Sequence, residues 1–138
     1  YIDGWQIEHI LPQTPRDGAI PSALVASRAD YEGHVYRLGN VTLLESVINQ
    51  AVNKHNDLQG TWFADKQAEY AKSGLLSTQL LNHTFAIGVN TAVNRLASLA
   101  AVNFRTAQWD GAAIAQRQQA LLDLALDTWT LNHHRLDA

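Results

Sequence analysis

Two adjacent side chains near the start of the chain, Glu8 and His9, have the types needed for metal binding and for acid–base chemistry. Ile7, Ile10 and Leu11 flank the pair and are expected to anchor the backbone of a strand that Pro12 ends. A regular strand points neighbouring side chains to opposite faces, so a bend or bulge is needed to turn both into one pocket. A carboxylate is a hard metal ligand, and an imidazole that is neutral near pH 7 accepts a proton. By itself, such a pair lies more often at a solvated strand edge than in a catalytic site.

A second segment supplies amide side chains in addition to Glu8 and His9. Gly39 and Asn40 form a turn signal before the apolar run at residues 41–44, which favours a second strand. On the helix expected after that strand, Asn49 and Asn53 are four residues apart, so their amides share one face. The pattern therefore predicts strand, loop, strand and helix that carry one acid, one histidine and three amides.

This order of residues resembles the ββα-metal (His-Me finger) fold of HNH endonucleases. Residues 7–13, 37–44 and 63–70, together with Asn49, are more specifically similar to the C-terminal nuclease domain of GmrSD-type modification-dependent restriction systems. That family includes relatives that sense phosphorothioated DNA. The resemblance has distinctive motifs in residues 1–75 and continues more weakly into a helical tail.

The fold that the resemblance implies is α+β, with a ββα-metal core over residues 1–75 and a mostly α-helical extension over residues 76–138 packed on it. Trp62 and Phe63 are expected to pack their helix beside the core, and Asp110 is expected to cap the last helix. Since the chain starts with tyrosine and not methionine, we expect a single compact domain excised from a longer protein.

The activity that the resemblance implies is that of an HNH-type endonuclease, a hydrolase of a bacterial restriction or phage-defence system that nicks DNA or cuts both strands. His9 is then the general base that takes a proton from the attacking water. Asn40 is carried over as a brace of the histidine backbone, and Asn49 as a catalytic and metal-binding residue. Glu8, Asn49 and Asn53 are the expected ligands of one Mg²⁺ or Mn²⁺ ion, because their oxygens suit a hard cation better than zinc.

The expected DNA contacts are basic residues at matching positions, Lys66 and Arg37, although Lys66 in a helix is as often simply solvated. The overall charge opposes DNA binding: 10 Lys and Arg against 13 Asp and Glu give a net charge of −3, whereas autonomous DNA binders present a basic face. Either a bound cation reverses the local field, or another domain delivers the DNA. We favour the two explanations together, which predicts weak DNA affinity for this chain alone.

The amino-acid composition excludes several kinds of site and several classes of protein. The chain has no cysteine, which excludes disulfides, zinc ribbons and thiol catalysis. No apolar run is long enough to span a bilayer, so we expect no membrane association and a cytoplasmic location. The expected partners are DNA and a separate N-terminal recognition or NTPase domain, and the chain is a possible dimer.

Two other functional classes stay open at this stage. The chain is alternatively a catalytically inactive module of the same fold that binds nucleic acid or a protein partner, with Glu8, His9 and Asn49 retained for stability. It is otherwise a helical interaction module whose Gly-Asn turn matches the motif by accident. The spatial convergence of His9 and Asn49 on one cavity separates the nuclease hypothesis from the last of these.

Overall fold

The computed structural model of the chain describes residues 4–15, 20–21, 24, 27–86, 105–131 and 134–135. Helices predominate along these residues, with two short strand pairs. In chain order they are β1 Trp5–His9, α1 Arg28–Val35, a 3₁₀ turn Leu38–Asn40, β2 Val41–Glu45, α2 Ser46–Val52, a second 3₁₀ turn Asn53–His55, α3 Trp62–Tyr70, α4 Leu76–Gln79, α5 Gly111–Thr128, β3 Thr130–Leu131 and β4 His134–Arg135.

Strands β1 and β2 form an antiparallel pair in which His9 lies opposite Val41 and Glu8 lies opposite Thr42. α1 and a 3₁₀ turn lie between the two strands in the chain, and β2 leads directly into α2. The predicted α+β class is confirmed, and the identification of this unit as a ββα-metal core stays a prediction. After α5, where the sequence predicted mostly helix, β3 and β4 form a second antiparallel pair.

The burial of β1 is the reverse of what its residue types predict. Ile7 is 64% exposed, whereas Glu8 beside it is only 4% exposed. The expectation that Ile7 anchors the backbone was therefore wrong, and Ile10 and Leu11, which are fully buried just beyond the strand, do so instead. The inward carboxylate is tolerated because a buried ammonium from α3 lies against it.

One main hydrophobic core joins the two halves of the described chain. Phe63 lies in its centre, with ring centroids 5.5 Å from Trp62 and 5.2 Å from Trp109. This confirms Trp62 and Phe63 as core residues, and it shows that the C-terminal region contributes Trp109 to the same core. The buried members are Ile10, Leu11, Tyr31, Val35, Leu44, Val52, Leu58, Trp62, Phe63, Tyr70, Leu81, Trp109 and Ile114.

Helix α5 packs closely on the first 3₁₀ turn. A Cβ added at Gly39 would overlap the backbone carbonyl oxygen of Ile114, so only glycine allows this approach. Arg117 on the same helix donates from Nη1 to the carbonyl oxygens of Gly39 at 2.8 Å and Val41 at 2.7 Å. Asp110 caps α5 as predicted, accepting a hydrogen bond from the backbone N–H of Ala113 at 2.9 Å.

The predicted helical extension is described only in part, because residues 87–104 lie outside the described residues. Within the part that is described, no helix has the length and apolar character needed to cross a membrane.

Candidate functional site

An open polar pocket of about 260 Å³ lies between the end of β1, the loop after it, and α2 with the 3₁₀ turn that follows. It brings together four of the residues that the sequence predicts for the site, Glu8, His9, Asn49 and Asn53. The complete lining is Ile7, Glu8, His9, Pro12, Gln13, Thr14, Asn49, Asn53 and Asn56.

Glu8 reaches this pocket from a largely buried position. Its Oε1 accepts hydrogen bonds from Lys66 Nζ at 2.8 Å and from the Tyr70 hydroxyl at 3.1 Å. Tyr70 is fully buried, and burial, followed by the charge and hydrogen bond of Glu8, raises its pKa well above the usual value. The phenol thus stays protonated as a donor. Oε1 is thus occupied by two donors, and Glu8 is the carboxylate among the lining residues that would hold a cation in this pocket.

His9 ends β1, and its ring is partly exposed at the pocket. The ring edge packs on Tyr36, with centroids 5.8 Å apart and planes at 81°. Gln13 Nε2 lies 3.4 Å from His9 Nε2, a long contact that a substrate or water can replace. Partial burial lowers the pKa of His9 below 6.5; the Glu8 carboxylate opposes this, and the Lys66 ammonium adds to it. The imidazole is therefore neutral at pH 7.

Asn49 and Asn56 line this pocket, and each has a side-chain oxygen that lacks a hydrogen-bond donor among the described residues. Asn49 donates from Nδ2 to Gln6 Oε1 at 2.7 Å, and Asn56 donates from Nδ2 to Asn53 Oδ1 at 3.1 Å. The Oδ1 atoms of Asn49 and Asn56 are buried, and no described residue donates a hydrogen bond to them. A buried acceptor without a donor is costly. These two oxygens therefore fit a ligand that supplies positive charge or N–H or O–H groups.

The sequence analysis missed Asn56. Its only signal is an amide three residues after Asn53, and helical spacing would have placed it near the same face. The stretch in fact turns as a 3₁₀ helix over Asn53–His55, and it brings the Asn56 side chain to the pocket.

Asn40 lies behind the site and not in it. This fully buried residue accepts at Oδ1 from the Leu11 N–H at 2.8 Å and from Trp109 Nε1 at 3.0 Å. Its Nδ2 donates to the carbonyl oxygens of Leu11 at 3.0 Å and Val35 at 2.9 Å. All its bonding groups are engaged, so it holds the chain two residues after His9 and cannot touch a substrate.

The two predicted DNA contacts differ in their placement. Lys66 is fully buried, and its ammonium bonds to Glu8 and to the Ile10 carbonyl oxygen. The predicted phosphate contact of Lys66 is therefore wrong, because the group does not reach the surface. Arg37 is exposed and donates to the Gly33 carbonyl oxygen at 3.2 Å. It does not line the pocket, and its contact with DNA stays a prediction.

The donor set of the pocket limits which metals fit it. Among the described residues, no group of three or more His, Cys, Asp or Glu side chains is placed to hold a metal ion. A metal here would depend on one carboxylate and on amide oxygens, which suit Mg²⁺ or Mn²⁺ and not zinc. The buried oxygens of Asn49 and Asn56 fit such an ion, although the ammonium of Lys66 offsets the charge of Glu8.

A family model described as GmrSD restriction endonucleases, C-terminal domain, matches residues 2–124. The match covers the pocket and most of helix α5. No curated protein and no solved structure gives a significant match to the chain.

Proposed function

The chain belongs to the family of GmrSD restriction endonuclease C-terminal domains, and from that premise we propose that it hydrolyses DNA phosphodiester bonds at the polar pocket. The family is one of restriction-type nucleases, for which DNA is the substrate. The finer proposal is an HNH-type endonuclease with a histidine base and one divalent cation.

A single observation supports this proposal most strongly. The amide oxygens of Asn49 and Asn56 are buried without a donor from the described residues, and both residues line the pocket that also holds Glu8 and His9. A cation held at this pocket would satisfy two acceptors that the described residues leave without a donor.

The chemistry divides between proton transfer and charge neutralisation. A water that attacks phosphorus must lose a proton, and we propose that His9, which lines the pocket and has a lowered pKa, accepts it. Glu8 and the amide oxygens of Asn49 and Asn56 would hold the cation. When bound, Mg²⁺ or Mn²⁺ stabilises the negative charge that develops on the phosphate and on the leaving oxygen.

Asn53 was the third predicted ligand, and it lines the same pocket. Its Oδ1 already accepts a hydrogen bond from Asn56, whereas Asn56 Oδ1 has no donor among the described residues. We therefore place Asn56 before Asn53 as a ligand. Asn40 acts by holding the backbone after His9.

The biological setting is part of the same proposal. The family description supports a role in a restriction or defence system. The net charge of −3 favours delivery of DNA by a separate recognition or NTPase domain, because the chain lacks the basic excess of an autonomous DNA binder. The expected affinity of the chain alone for DNA is accordingly weak.

The test is nicking of a supercoiled plasmid in the presence of Mg²⁺ or Mn²⁺. We expect cation-dependent nicking, and a loss of about 100-fold or more in His9→Ala and in Asn49→Ala. His83→Ala, an exposed histidine, and Gln50→Ala, an exposed amide on α2, are the matched controls and should nick like the wild type. The melting temperature of His9→Ala should stay within a few degrees, because the partly exposed ring makes one long hydrogen bond and one edge-to-face contact with the exposed Tyr36. Equal cleavage by the wild type and His9→Ala would refute the proposal.

One observation favours the alternative, a catalytically inactive binding module. The charge of Glu8 is already paired with Lys66, so part of the negative charge that would attract a cation is neutralised. On this alternative the wild-type chain binds DNA or a protein partner but leaves the plasmid intact with either cation. The same plasmid assay, read beside a DNA-binding measurement, separates the two functions.

A further inference from the structure

Lys66 bonds to three consecutive residues of the segment that carries His9. Its Nζ lies 2.8 Å from Glu8 Oε1, 3.5 Å from the His9 carbonyl oxygen and 3.0 Å from the Ile10 carbonyl oxygen. An ammonium has three N–H donors, and here each has an acceptor, although the contact to His9 is long. No donor is left for a substrate group.

The same segment is held from a second direction by Asn40. The backbone carbonyl oxygen of Asn40 accepts from the Ile10 N–H at 2.9 Å, and its side chain bonds to both the N–H and the carbonyl oxygen of Leu11. Pairing with β2 ends at His9, opposite Val41. Beyond His9, strand pairing no longer holds the backbone. Hydrogen bonds from Lys66 to Ile10 and from Asn40 to Leu11 hold it there instead.

We propose that Lys66 is a positioning residue that holds the Glu8 side chain and the backbone carbonyl oxygens of His9 and Ile10, and so directs the His9 ring toward the pocket. This inference rests on the proposed function, in which His9 accepts the proton. It also accounts for an ammonium in the core. Burying that charge is costly, and an apolar side chain of the same volume would fill the space without holding the carbonyl oxygens.

Two features favour a positioning role for Lys66 over general stabilisation of the fold. The bonds of Lys66 all end on residues 8–10, and the residue is fully buried. Gln67, the next residue on α3, is 2% exposed and donates to the carbonyl oxygens of Leu81 at 2.7 Å and Thr106 at 2.8 Å. Gln67 therefore stabilises another part of the fold and is a matched control.

The experiment compares Lys66→Met with Gln67→Met in the plasmid assay, at a temperature at which both variants are folded. Both substitutions remove buried hydrogen bonds and should lower the melting temperature. For Lys66→Met we expect kcat per folded molecule to fall about 10- to 100-fold, with KM for the plasmid within about twofold. For Gln67→Met we expect kcat within about twofold of the wild type. A folded Lys66→Met variant with wild-type kcat would overturn the inference, as would an equal loss in Gln67→Met.

If Lys66→Met does not fold, a second variant tests the positioning role. Lys66→Arg keeps the positive charge beside Glu8, but a planar guanidinium cannot bring one nitrogen to all three acceptors. We expect kcat to fall about tenfold in this variant, and wild-type kcat would overturn the positioning role. The proposed function fails separately, if the wild-type chain leaves the plasmid intact or if His9→Ala nicks it like the wild type.

Discussion

At the residue scale, the candidate site depends on how differently neighbouring side chains are exposed. Glu8 is 4% exposed and has a buried ammonium against its carboxylate, while His9 beside it is partly exposed at the pocket. The protein environment therefore gives the acid a counter-charge and lowers the pKa of the imidazole, which favours the neutral form. The neutral imidazole is the form that proton acceptance requires.

The pH dependence of cleavage tests the state of His9. Because partial burial lowers the pKa of His9 below 6.5, the neutral form that accepts a proton persists into mildly acidic solution. We expect the nicking rate to rise with pH and to reach half of its maximum below pH 6.5. Single-turnover rates measured between about pH 5 and pH 8 at saturating Mn²⁺ check this. The His83→Ala control should give the same curve, and a half-maximum above pH 6.5 would contradict the assignment.

At the element scale, the first 3₁₀ turn links the two strands of the site to the C-terminal helix. Gly39 in this turn touches the backbone of α5, and Asn40 beside it holds Leu11 and Trp109. Arg117 bonds to the carbonyl oxygens on both sides of Asn40. The brace behind His9 is therefore correctly placed only when α5 is packed.

Substitution of Gly39 tests this link. A Cβ at Gly39 would overlap the Ile114 carbonyl oxygen, so Gly39→Ala should destabilise the fold by about 2–4 kcal/mol, since backbone cannot move aside as a flexible side chain would. Gly33→Ala is the control. It lies inside α1 with nothing near the added methyl group, and it should stabilise by about 0.5–1 kcal/mol. Urea denaturation measures both, and an unchanged midpoint for Gly39→Ala would argue against the close packing.

At the scale of the whole molecule, the described residues share one main core. Trp109 packs on Phe63 and donates to Asn40, so the C-terminal region completes both the hydrophobic core and the support of the site. The sequence analysis divided the chain into residues 1–75 and an extension over residues 76–138. That division stays a prediction, and these contacts indicate that the first part depends on the second for stability.

Truncation tests this dependence. A chain that ends at residue 86 loses Trp109 and Ile114 from the core, and we expect it to lose cooperative thermal unfolding. A chain that ends at residue 129 removes only the region of β3 and β4, which pair with each other, and it should melt within about 5 °C of the full chain. Circular dichroism melting curves provide the measurement. Cooperative melting of the shorter chain near the full-length temperature would show that residues 1–86 fold independently.

The sequence by itself determined those features whose energetics are local. Turn residues before an apolar run predicted β2, an aspartate before an apolar stripe predicted the cap of α5, and the α+β class followed with the family. Each of these depends on residues close together in the chain, so residue type and spacing carry the information. The sequence also shows directly that Glu8 and His9 are neighbours in the chain.

Only the tertiary structure decided which of these side chains face inward and what they contact. Glu8 is buried because Lys66, 58 positions away, supplies its counter-charge, and Asn40 is saturated because Trp109, 69 positions away, donates to it. No local sequence pattern encodes such pairs. From the sequence alone, Ile7 was therefore expected in the core and Lys66 at the surface, and Asn56 was assigned no role. The free energy of a buried polar group depends on the partner that the fold brings to it, and that partner is set by long-range packing.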